Sequence, residues 1–255
     1  MRRFVSLLLA LFLPLTACTT RPSQTGTPAR DLERYKAEHY AAVPTIPRKL
    51  VSLESLEADL GAGGLLLIGD VHDDAGLHAR VTTLLERLTI FARRTNRACR
   101  LFVEFVGTED EQLLEDWLAG RTELQSLRAS LRDRWSESWL EGGTRIDAAF
   151  YRGLLRFARD HALAVRPLEP IPRLPLELRD LAMATTILAA RNEGVRTLDI
   201  VLVGHAHLLG DGHLVDALGV TGRRASVILP DFDPTLVRGA PLALLAPRLY
   251  RWTAP

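Results

Sequence analysis

Leu67-Ile68-Gly69-Asp70-Val71-His72, Phe102-Val103-Glu104 and Val203-Gly204-His205-Ala206-His207 are three places where a short apolar run of this 255-residue sequence stops on ionisable residues. The runs Leu65 to Ile68, Leu101 to Val103, Leu163 to Val165, Leu198 to Val203 and Ser226 to Leu229 are bounded by Gly, Pro or charge, as buried parallel strands are. Longer segments between them carry helical spacing: Val81, Leu84, Leu85 and Leu88; Leu154, Leu155 and Ala158; Leu178, Leu181, Thr185 and Leu188. This alternation predicts an α/β fold with a central parallel or mixed sheet flanked by helices. Residues 109–161 interrupt the pattern. They are charged and helical in spacing, hold Trp117, Trp135, Trp139 and Tyr151 without a strand, and read as a helical insertion or lid whose aromatics either glue the helices to the domain or help hold a ligand.

In open α/β sheets the ligand crevice lies beyond the carboxyl ends of the strands, so His72, Glu104 and His207 are expected to meet there. Both His motifs have the form Gly-x-x-His, and the Gly lets the chain turn sharply while leaving room for a ligand. Imidazole and carboxylate suit a divalent transition metal such as Mn, Co or Zn, and equally suit general acid–base work by Glu104 or Asp70. His78, on the first turns of the following helix, can reach the same crevice. Asp73 and Asp74 read as helix N-terminal residues, favourable to the dipole. Alternation turns one of His205 and His207 inward, and the sequence leaves open which. Arg179-Asp180, with Met183 three residues beyond Asp180, opens the helix leading to the third of these strand ends. An Arg there opposes the macrodipole, which makes it a candidate for binding a carboxylate, a propionate or a developing oxyanion; surface placement is the alternative.

The amino terminus carries different information. Arg2 and Arg3 precede an apolar run from Phe4 to Leu15, then small residues ending at Cys18. The run is shorter than the roughly 20 apolar residues a spanning helix needs, and Pro14 interrupts it, so residues 1–17 read as a signal peptide. Leu15-Thr16-Ala17-Cys18 resembles the lipobox of bacterial lipoproteins, which predicts a lipid on Cys18 and anchoring in the cell envelope. Thr19 after the Cys favours the outer membrane in a cell that has one. Residues 19–31 are rich in Thr, Ser, Pro and Gly, so 18–45 is expected to be a flexible tether and 46–255 a single domain. Loss of residues 1–17 leaves 30 basic against 31 acidic side chains, which gives no sign of nucleic-acid binding. With Cys18 lipidated, Cys99 has no partner for an intramolecular disulfide.

Taken in order, Gly69-Asp70-Val71-His72-Asp73-Asp74 with His78, Glu104, the Trp135/Trp139/Tyr151 stretch, Arg179-Asp180 with Met183, and Gly204-His205-Ala206-His207 resemble the ChaN-like iron-regulated lipoproteins. These fall in the haem-binding uptake group of the Tiki superfamily, with Tiki-type metalloproteases and erythromycin esterases. The resemblance spans about residues 50 to 220. It implies a ChaN/erythromycin-esterase-like fold, haem as ligand, a role in haem or iron uptake, and a homodimer across the haem. Tyr or His would ligate the iron, with Tyr151, His78, His72 and His207 as candidates. The Tiki branch implies instead a metal-dependent hydrolase, His72, Glu104 and His207 holding a divalent ion and Arg179 stabilising negative charge. Two departures stand out: Asp70 replaces the Glu of the family's Gly-Glu-x-His, and Leu77 precedes His78 where the family tends to pair two His.

Overall fold

The computed structural model describes residues 28–134, 139–143, 145–193, 196–231 and 240–253. Cys18, the signal peptide and Trp135 lie outside these residues. The chain folds around one eight-stranded sheet of order β1-β7-β8-β6-β2-β5-β3-β4, comprising β1 (Lys49–Val51), β2 (Leu65–Asp70), β3 (Ala98–Gly107), β4 (Ala164–Glu169), β5 (Thr197–Gly204), β6 (Ser226–Leu229), β7 (Leu242–Ala246) and β8 (Leu249–Trp252). Strands β8, β6, β2, β5, β3 and β4 run parallel, and β7 pairs antiparallel with both β1 and β8, so the sheet is mixed. Strands β1, β7 and β8 are too short, or too near the terminus, to have stood out in the sequence.

Alternation along the strands splits the core in two. Leu66, Ile68, Leu101, Val103, Ile200 and Leu202 face helices α2 (Leu53–Gly63), α3 (Ala75–Arg94), α4 (Glu111–Leu118), α5 (Leu124–Arg134) and α6 (Ala148–Asp160). Leu65, Leu67, Phe102, Val201 and Val203 face α7 (Leu176–Arg191) and the short turns after β5. The result is a three-layer α/β/α arrangement. Asp74 caps α3, its carboxylate accepting from Leu77 N–H at 2.9 Å, the role expected of it. Between β3 and β4 the described residues form α4, α5 and α6, and Trp117, Trp139 and Tyr151 are buried in the core they share with the sheet.

Two expectations need correction. A 15-residue helix, α1 (Pro28–Ala42), lies within the stretch read as tether and docks on the site through Tyr35 and His39, both buried. Two polar aromatic side chains do not advertise an apolar face, so the sequence gives no sign of this docking. In α7 the expected face is only partly inward: Leu178 and Leu181 are 48% and 55% exposed and Leu188 packs against the second core, while Arg179, Asp180, Met183, Ala184 and Ile187 are buried. Buried ion pairs, described next, set the rotation of that helix.

Candidate functional site

Asp70 ends β2, Gly204 ends β5 beside it in register, and Glu104 lies on β3 on the far side of β5. Strand β3 does not stop at Glu104 as the apolar run implied. It continues to Gly107 through a register shift after Val103, the kind of irregularity that re-aims a side chain beside a site. His72 and the His205–His207 turn follow β2 and β5 directly. The strand-end residues therefore do come together, and they sort into two linked networks.

The first is centred on Asp70, which is 3% exposed. Its Oδ2 accepts from Tyr151 Oη at 2.5 Å and from His72 Nδ1 at 3.1 Å, and its Oδ1 from His78 Nε2 at 3.0 Å. His78 Nδ1 donates onward to Asp147 Oδ2 at 3.0 Å, and the His78 ring stacks on Phe150. Burial alone would raise the Asp70 carboxyl, but the donors from His72, His78 and Tyr151 outweigh it and hold the group down at about 2. Burial likewise opposes charge on His72 and His78, and their carboxylate partners overcome it, so both imidazoles are raised above the usual value. The short Asp70 side chain thus reaches both histidines. Tyr151 is pushed up as a phenol by burial and by the Asp70 charge.

The second network is centred on Glu104. Arg179 Nη2 donates to Glu104 Oε1 at 2.9 Å and to Glu169 Oε2 at 2.6 Å; Gly204 N–H donates to Glu104 Oε2 at 2.7 Å; His207 Nε2 lies 3.4 Å from Glu104 Oε1. His207 Nδ1 donates to Asp180 Oδ1 at 2.6 Å. Burial would raise Glu104, but His207 and then Arg179 hold it well below the usual carboxylate range. Burial would lower His207, but Glu104 and Asp180 push it up to about 9. Arg179 is therefore a buried counter-ion rather than a surface residue, and its contacts are with protein carboxylates.

A small, shallow recess lies between the networks, lined by Asp70, His72, Glu104, Phe105, Trp139, Tyr151, Leu202, Val203 and Gly204. Gly204 keeps it open: a Cβ there would sit 3.3 Å from His72 Cε1 and 3.4 Å from Glu104 Oε2. At Gly69 the reason is packing, since a Cβ would come within 2.9 Å of Pro230 Cδ and 3.0 Å of His205 Cβ. The His205/His207 question dissolves because a 3-10 turn replaces strand alternation. His207 joins Glu104, and His205 Nδ1 donates to the Asp70 carbonyl at 3.1 Å.

The expected metal triad is not formed. Glu104 already receives Arg179 and Gly204 N–H and pairs with His207, and among the described residues no group of three His, Cys, Asp or Glu side chains is arranged to hold a metal ion. Among the four iron-ligand candidates, His78 and His207 have both ring nitrogens engaged and Tyr151 is a buried phenol committed to Asp70. His72 differs. Its side chain is 36% exposed at the recess, Nδ1 is backed by Asp70, and Nε2 is left without a hydrogen-bond partner among the described residues. The sequence reading missed Glu169, Asp180 as a partner of His207, Asp147, Tyr35 and His39. Glu169 closes β4 as Glu104 approaches the end of β3, so the strand-end rule would have found it had the run from Leu163 been followed further.

A mixed three-layer sheet with a buried carboxylate–imidazole cluster at its carboxyl ends defines an α/β domain built around a polar crevice. Residues 56–171 match the family model described as haem-binding uptake, Tiki superfamily, ChaN. Among solved structures, the fold is similar to ChaN of Campylobacter jejuni, whose structure shows cofacial haem binding. That match has a TM-score of 0.54 and 10% identity, covering 79% of this chain and 91% of that one. It is also similar to the type III effector HopBA1, with a TM-score of 0.50 and 15% identity, covering 84% and 97%. No curated protein matches the sequence.

Proposed function

We propose that this chain is a lipid-anchored haem-binding protein of the cell envelope serving haem or iron uptake, with His72 Nε2 as the iron ligand. The observation that carries the reading is the state of His72. A half-exposed imidazole with one nitrogen hydrogen-bonded to a buried carboxylate and the other free is how a protein orients a histidine and raises its basicity toward a metal. The family and the haem-bound relative support haem as the ligand. The recess is a shallow indentation with no enclosed space for a small molecule, so it does not enclose a macrocycle. Haem would lie across its mouth, where Trp139 walls one side of His72 with its ring edge at 4.7 Å between centroids. The uncovered haem face is one that a second copy of the chain would cover. When bound, the iron supplies the ligation and redox chemistry; the protein's part is to hold His72 in one orientation.

Metal-dependent hydrolysis is less well supported, because Glu104 and His207 are committed to each other and to Arg179 and Asp180. The test is absorbance titration of the purified protein with haem, in parallel with His72→Ala and Tyr151→Phe. A Soret shift lost in His72→Ala and kept in Tyr151→Phe is expected. Absence of any Soret shift in the unaltered protein removes the haem reading, and loss only in Tyr151→Phe reassigns the ligand. Sedimentation with and without haem reads the assembly.

A further inference from the structure

Helix α1 is attached in an unusual way. Helices of this length are marginal alone in water and are normally held by an apolar face. Of the α1 side chains whose exposure is described, Tyr35 and His39 are the buried ones, and both are polar. Tyr35 Oη donates to Asp180 and lies 2.8 Å from His207 Nδ1, from which it accepts. Its ring stacks on His213 with centroids 4.0 Å apart. His39 Nδ1 accepts from Leu209 N–H at 3.3 Å, and its Nε2 is buried with no partner among the described residues, a cost that docking carries and release removes. The helix therefore grips the same imidazole that pairs with Glu104, and it is held by hydrogen bonds, a ring stack on His213 and polar contacts of Glu38 with His213 and Tyr40 with His205 rather than by an aliphatic face.

We infer that α1 is a displaceable strap over the Glu104–His207 pair, and that its release opens an approach to Glu104 that does not pass through the recess beside His72. Docked, Tyr35 shields His207 and Asp180 from water and fixes the ring that faces Glu104. Released, the strap uncovers His207 and His213 while the sheet and its two cores, to which α1 contributes no member, stay folded.

Two measurements test this. In the unaltered protein, hydrogen exchange of α1 amides is expected to proceed by local opening, at least about tenfold faster than in β5 and nearly independent of low urea. Exchange of α1 that tracks global unfolding overturns the inference and needs no variant. In Tyr35→Ala/His39→Ala, diethylpyrocarbonate is expected to modify His213, the ring on which Tyr35 stacks, at least about tenfold faster than in the unaltered protein, with His161 at the end of α6 as the unchanged reference. An unchanged rate at His213 in a folded double variant also overturns it.

Discussion

Replacing Glu104 with Gln removes one charge from the most densely paired part of the molecule, and the structure sets the size of the effect. Glu104 faces two buried cations, Arg179 and His207, which are 2% and 6% exposed. Holding a buried imidazole's proton up to about 9 rather than 6.5 corresponds to about 3 kcal/mol of interaction, shared between Glu104 and Asp180. Removing one partner of a buried ion pair costs about 3–5 kcal/mol. Because Arg179 keeps Glu169 and His207 keeps Asp180, the lower end applies, about 3 kcal/mol. For a domain of this size that is a fall in melting temperature of roughly 6–12 °C. Urea and thermal denaturation of the unaltered protein and Glu104→Gln at pH 7 measure it; the substituted amide oxygen can still accept from Gly204 N–H, so the loss reports the charge. A loss below about 0.5 kcal/mol, the range of ordinary surface substitutions, would show that the pair is solvated and refute the buried network.

Further outcomes follow from the same geometry. Because the folded value of His207 is raised, its contribution to stability is complete below 6.5 and is lost as pH rises through about 9. The melting temperature should decline over that range, and the decline should flatten in Glu104→Gln. Asp70 is depressed, so its contribution is present above the ordinary 3.8 and is lost as pH falls toward about 2; the loss of stability over that range, followed by circular dichroism, should be shallower in Asp70→Asn. Gly204→Ala is expected to weaken haem titration while costing less than about 1 kcal/mol, since φ of −50° suits any residue; unchanged affinity would place haem away from the recess. Asp74→Ala should cost about 1 kcal/mol in urea denaturation through loss of the α3 cap.

The sequence by itself determined the α/β class, the five parallel strands it named, the inward faces of α3 and α6, and the meeting of His72, Glu104 and His207 at the strand ends. These follow from local rules: apolar runs with a period of two or 3.6, and ionisable residues where a buried run stops. Tertiary structure decided the rest. The rotation of α7 was set by Arg179 and Asp180 reaching Glu104, Glu169 and His207 across the layers, which local apolar spacing cannot anticipate. Helix α1 owes its place to two hydrogen-bonding side chains, and the partners of Tyr35 lie more than 140 residues away. The distinction between His72 and the other ligand candidates belongs to the same class. All are titratable residues in one crevice, and only knowing which nitrogen already has a partner separates a side chain free to bind from one that holds the site together.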